Sequence, residues 1–128
     1  IAYLLKKYFN SEIFNYNFNI YLRGPYSTEL AKDYFSLTDV DINKEIQIPI
    51  ELFGKFKNAW ILVNNLRNMS ILDLEQMAIL LSVIERNDIE SAIDLAYTLK
   101  ESMLRQAGLD KEYVKEKVQD LKKLGFDI

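Results

Sequence analysis

Residues 71–84 constrain this chain more than any other stretch. Ile71, Leu72, Leu74, Met77, Ala78, Ile79, Leu80, Leu81, Val83 and Ile84 leave almost no polar face at helical spacing. Ser70 stands where an N-cap belongs, and Asp73 sits three residues on. Met69 and Leu74 hold the positions of a hydrophobic staple. A helix that is apolar on every side must be covered on every side, so it belongs in the middle of a domain. The rest of the chain then has to supply the cover, and Leu81 is expected to be buried.

Helical patterns flank this segment on both sides. Asp88 predicts the cap of a helix over about 89–106, with Ile89, Ile93, Ala96, Leu99 and Met103 as its stripe and Gly108 closing it. Asp110 predicts a last helix over 111–124, with Val114, Val118 and Leu121 facing inward and Gly125 stopping it. Upstream, Pro49 suits the first turn of a helix that runs to about Leu66 through Phe53, Phe56, Trp60, Ile61 and Val63. Residues 1–9 place Leu4, Leu5, Tyr8 and Phe9 on one helical face. Ser27 predicts the cap of a helix over about 28–36.

Two stretches break the helical period. Residues 17–22 alternate, with Phe18, Ile20 and Leu22 on one side and Asn17, Asn19 and Tyr21 on the other. Residues 38–48 alternate on both sides of Asn43-Lys44, which fits a short hairpin or a loop leading into the next helix. The chain of 128 residues suits one domain, 1–128. The predicted fold class is mainly α, five to six helices with a small β hairpin or two-stranded element; a winged-helix-like arrangement is one form of it.

Composition removes many chemistries. The chain has neither cysteine nor histidine. Disulfides, thiolate nucleophiles and cysteine-based zinc sites are thereby excluded, and the usual general base and commonest metal ligand are missing. The serines lie in no nucleophile-elbow context, and the four glycines form neither a Walker nor a Rossmann pattern. Asp39-Val40-Asp41-Ile42-Asn43 begins like a calcium loop. Lys44 and Ile50 then occupy the positions that need glycine and glutamate. No enzyme activity, cofactor or metal is expected. No apolar run approaches the ~18 residues of a membrane span, no signal-peptide pattern is present, and a cytoplasmic location is the expectation.

Net charge is −3 and uneven. Residues 1–69 carry eight basic and seven acidic side chains, and residues 70–128 carry eight and twelve. A dedicated nucleic-acid binder shows a basic stripe. Here the only cluster is around Lys6, Lys7, Arg23 and Lys32. The final helix offers Lys111, Lys115, Lys117, Lys122 and Lys123, but Asp110, Glu112, Glu116 and Asp120 offset them and weaken the counterion-release contribution.

The run Tyr21-Leu22-Arg23-Gly24-Pro25-Tyr26-Ser27-Thr28-Glu29-Leu30 describes an extended arm, a tight corner and a helix start. Arg23, Gly24, Pro25 and Tyr26 are the candidate partner-binding residues. Arginine and tyrosine bring large contact area with a polar end, and glycine and proline hold them on a rigid corner. The competing reading is architectural, with Tyr26 packed over the helix start and Arg23 paired with Glu29 or Asp33.

The same run, followed by a helix ending near Leu37, resembles the Y-x-x-GPYS-x-EL segment of the YwgA-like uncharacterised proteins and is similar to the broader Panacea (SocA-like antitoxin) domains. The second half resembles them in layout: an apolar helix, a further helix, then a C-terminal helix ending in Leu124-Gly125-Phe126. The resemblance implies a mostly helical domain with a small β element, no known chemistry, and a protein partner of the kind that antitoxins neutralise. The expected function is a non-enzymatic, regulatory or antitoxin-like protein-interaction domain. The alternative is a winged-helix-like nucleic-acid-binding regulator.

Overall fold

The computed structural model describes residues 1–9, 16–21, 24–36 and 50–128. In chain order these form α1 (Ala2–Tyr8), β1 (Asn19–Tyr21), β2 (Gly24–Tyr26), α2 (Thr28–Ser36), α3 (Ile50–Arg67), α4 (Ile71–Ile84), α5 (Ile89–Gln106) and α6 (Lys111–Lys123). The protein is mainly α with a small β element, as the periodicities predict. The hairpin predicted over 38–48 lies outside the described residues, as does Pro49.

The apolar helix is central, for the reason that its composition dictates. α4 packs against α5, α6, β2 and α1, while α1 also touches α3. Met77, Ile79 and Leu80 are fully buried and Leu81 nearly so. Around them close Leu4 and Leu5 of α1, Leu62 and Leu66 of α3, Ala92, Ala96 and Leu104 of α5, and Val114, Val118 and Leu121 of α6. Gln76 lies at the same depth, and neither its amide nitrogen nor its oxygen has a hydrogen-bond partner among the described residues.

The four predicted caps Ser27, Ser70, Asp88 and Asp110 are caps in the structure. Ser70 Oγ accepts from the Asp73 amide at 3.1 Å, Asp88 Oδ1 from the Ser91 amide at 2.7 Å, and Asp110 Oδ1 from the Glu112 amide at 3.0 Å. Ser27 Oγ accepts from the Leu30 amide at 3.2 Å. Both α5 and α6 end in Schellman motifs. Leu109 N–H bonds the Leu104 carbonyl and Gly108 N–H that of Arg105; Phe126 and Gly125 repeat the pattern with Leu121 and Lys122. Gly108 and Gly125 take φ of +71° and +96°, where a side chain is strained. At Gly125 a Cβ would also meet the Tyr8 ring at 3.3 Å.

Two readings of the helix faces are corrected. On α5, Leu99 and Met103 stay half-exposed, and Lys100 and Leu104 are buried instead. The inner row continues from Ala92 and Ala96 in steps of four, and a non-helical step at Lys100 (φ −123°, ψ 15°) marks the break. Lys100 looks like a surface residue by composition, but its stem is covered and its ammonium reaches Glu75 at 3.4 Å. On α3, Trp60 and Ile61 are exposed, and Leu62 and Leu66 face the core.

The corner at Gly24–Tyr26 is also more than a turn. It is a returning strand, antiparallel to β1, with Asn19 opposite Tyr26, Ile20 opposite Pro25 and Tyr21 opposite Gly24. Pro25 has no N–H to give a neighbour, which suits a strand at a sheet edge.

Candidate partner-binding groove

The hairpin rests on α4 and brings the sequence-predicted corner to the rim of an open groove of about 660 Å³. Tyr3, Lys6 and Lys7 of α1 form one wall. Phe18, just before β1, and Pro25 of β2 form another. The last turn of α4 and the link to α5 supply Ser82, Glu85, Arg86 and Asn87, and Leu95 of α5 completes the lining. A second groove of about 570 Å³ lies on the other side of Lys6, Lys7 and Glu85, against Gly125, Phe126 and Ile128. The ion pair between Lys7 and Glu85 is the partition between the two.

Each side chain has a local reason for its place. Tyr3 stacks edge-on to Phe18, ring centroids 5.2 Å apart, which fixes the aromatic floor. Burial pushes the Tyr3 phenol up to about 12, against the opposite pull of hydrogen bonding with Ser82, so the phenol stays neutral. Lys6 donates to the Tyr16 carbonyl, and its ammonium lies 5.7 Å from the Phe18 ring centroid. Burial and the neighbouring Lys6 cation hold the Lys7 ammonium below the usual lysine range, and it pairs with Glu85. Asn87 Nδ2 bonds the Val83 carbonyl at 2.8 Å and ties off the end of α4. Arg86, on the same helix end, has no ion-pair partner among the described residues.

Of the four predicted site residues, Gly24 and Pro25 lie in β2 and Pro25 lines the groove. Tyr26 is 46% exposed at the end of the same strand. Arg23 lies outside the described residues. The carboxylates suggested as its partners both hold other groups. Glu29 Oε2 accepts from the Asn17 amide at 3.0 Å and from Ser27 Oγ at 3.3 Å, and the Tyr16 hydroxyl donates to Asp33 Oδ2 at 2.6 Å. The Asn17 amide contributes most to holding Glu29 below the usual carboxylate range. These bonds brace the base of the hairpin against α2.

Sequence reasoning missed Glu85, Arg86, Asn87 and Leu95. Glu85, Arg86 and Asn87 read only as a short link between two helices, and Leu95 lies off the apolar stripe predicted for α5. Their meeting with Lys6 and Phe18 depends on α1 crossing the end of α4, and no local pattern encodes that.

A row of half-exposed apolar side chains leads out of the groove along α5. Leu95 is 43% exposed, Leu99 49% and Met103 44%, spaced four residues apart. Around this row the carboxylates are engaged, Asp94 by Lys111 at 2.8 Å and Glu101 by Arg105 at 2.6 Å. Three of the five lysines of α6 are engaged too: Lys111 with Asp94, Lys115 with Glu112 at 2.8 Å, and Lys117 with Asp120 at 2.6 Å.

No group of acidic side chains able to hold a metal ion occurs among the described residues, and no helix among them is long and apolar enough to cross a membrane. No family model, no curated protein and no solved structure matches this chain.

Proposed function

We propose that the chain is a non-enzymatic protein-interaction domain that docks its partner along the groove and the outer row of α5. The observation that carries this reading is the row Leu95, Leu99 and Met103, three large apolar side chains about half-exposed on one helix face and opening from the groove. Single exposed apolar residues are ordinary, but an aligned row beside a concavity is the kind of surface that partners cover. The frame is braced by capped helices and the Glu29 contacts, so docking would cost little ordering of the backbone. The regulatory, antitoxin-like role implied by the resemblance to Panacea domains fits such a surface, and Pro25 and Tyr26 would border it.

The nucleic-acid alternative has less support. Three of the five lysines that α6 would bring to a phosphate backbone are already bound to carboxylates, so engaging DNA would first cost those pairs.

The test uses a photo-crosslinking amino acid placed in turn at Leu95, Leu99 and, as a control on α6, Lys122. Crosslinking in cells to one and the same protein from positions 95 and 99, absent from position 122, supports the reading. A protein captured equally from all three positions, or from 122 alone, rules it out.

A further inference from the structure

The charges around the groove identify the chemistry of its occupant. Glu85 is taken by Lys7, Asp94 by Lys111 and Glu101 by Arg105. Two groove cations form no ion pair among the described residues, although the Lys6 charge helps to hold the Glu29 carboxyl down. Arg86 carries no ion pair, and Lys6 is bonded only to a backbone carbonyl. The groove is thus locally positive on a chain whose net charge is −3. Both cations stand beside apolar surface: Lys6 over the Phe18 ring, and Arg86 in the lining that Pro25 and Leu95 share.

We propose that the groove takes an acidic, amphipathic segment of a protein partner, its carboxylates meeting Arg86 and Lys6 and its apolar side chains covering Leu95, Leu99 and Met103. This rests on the docking surface proposed above and adds the partner's chemical class. Two features favour a peptide segment over a nucleic acid. The apolar row spans two helical turns and needs apolar side chains to cover it, which a phosphate backbone does not offer. Two cations also make a short track, whereas backbone binding needs a stripe. Arginine is suited to a carboxylate because its planar fork can make two parallel hydrogen bonds.

Fluorescence anisotropy with three labelled probes tests the proposal on the intact chain. One probe is a 16-residue peptide of leucine at helical spacing on a glutamate background. The second has lysine for every glutamate, and the third is a 16-base-pair DNA duplex. The glutamate probe is expected to bind best. Arg86→Glu should weaken it roughly tenfold, on the scale of losing an interfacial charge pair, and Lys6→Glu should weaken it further. Circular dichroism melts establish that the variants are folded. Failure of the glutamate probe to bind, or binding unmoved by both charge reversals, overturns the proposal. If the lysine probe binds better and Leu95→Glu abolishes that binding, the acidic class is wrong while the docking surface stands. If the duplex binds most tightly and loses affinity steeply with salt, the occupant is nucleic acid and both readings fall.

Discussion

At the N-terminal end of α4, polar side chains satisfy one another. Asp73, held below the cap by its own amide bond to Ser70, accepts from the Tyr113 hydroxyl at 2.5 Å and lies 3.4 Å from the Lys117 ammonium. Lys117 in turn bonds Asp120 at 2.6 Å and sits 5.2 Å from the centroid of the Tyr113 ring. At the C-terminal end, Arg86 has no such partner among the described residues and stands in the lining of an open groove with Lys6 and Leu95. One helix thus carries a closed polar cluster at one end and an open one at the other. A closed cluster, every member bonded, clamps α6 onto α4 and offers nothing to a ligand. An open one keeps its hydrogen-bonding capacity for something outside the chain.

The shared core between the ends should respond most strongly. Leu81→Ala removes a nearly buried side chain from the middle of α4 and should cost ~2–5 kcal/mol, read by chemical denaturation. A loss below that range would mean that the ends, more than the middle, hold α4 in place, and would blur the contrast.

The closed cluster is tested by Tyr113→Phe, which should cost about 1–2 kcal/mol through the lost bond to a carboxylate. It should also change the acid response. Burial alone would raise the Asp73 carboxyl, but hydrogen bonds from Tyr113 and Ser70, together with the Lys117 charge, outweigh it and hold the group below its ordinary 3.8. A carboxylate lowered by folding adds stability above its unfolded value, and that stability is lost as pH falls through the folded value. The difference in melting temperature between wild type and Tyr113→Phe should therefore be full at neutral pH and shrink as pH drops below 3.8. A difference that stays constant into acid would detach Asp73 from the clamp.

Gln76 lies between the two ends, fully buried, its amide without a hydrogen-bond partner among the described residues. Gln76→Met keeps the length of the side chain and removes the polar atoms, so it should raise stability by about 1 kcal/mol. Destabilisation on thermal melting would show that the amide is bonded in solution.

The smallest effect belongs to the open end. Arg86→Glu should leave stability within about 0.5 kcal/mol, because this exposed arginine has no ion-pair partner among the described residues. A larger loss would make Arg86 part of the frame and erase the difference between the two ends of α4.

Local chemistry made much of the fold readable in advance. Ser70, Asp88 and Asp110 announce helix starts because a side-chain oxygen next to orphan amides acts within three residues of its own position. Gly108 and Gly125 announce helix ends because positive φ is a single-residue property. The apolar girth of residues 71–84 fixes that helix in the centre without reference to its neighbours, since water excludes it from any other place. The corner at Gly24–Tyr26 was legible as a special backbone site but not as a strand, because pairing with Asn19–Tyr21 is a property of two segments together. The inner row of α5 was misread for a similar reason: whether Leu99 or Lys100 turns inward depends on Glu75, twenty-five residues away, being there to receive the ammonium. The groove was the least legible feature. The sequence by itself determined the helices, their caps and the central place of α4. Only the tertiary structure decided that α1 and the hairpin close on the C-terminal end of α4, and that Lys117 at the opposite end is paired with carboxylates while Arg86 has no ion-pair partner among the described residues. Charge and burial are set by what lies within a few ångströms, and in a folded chain those neighbours come from distant positions.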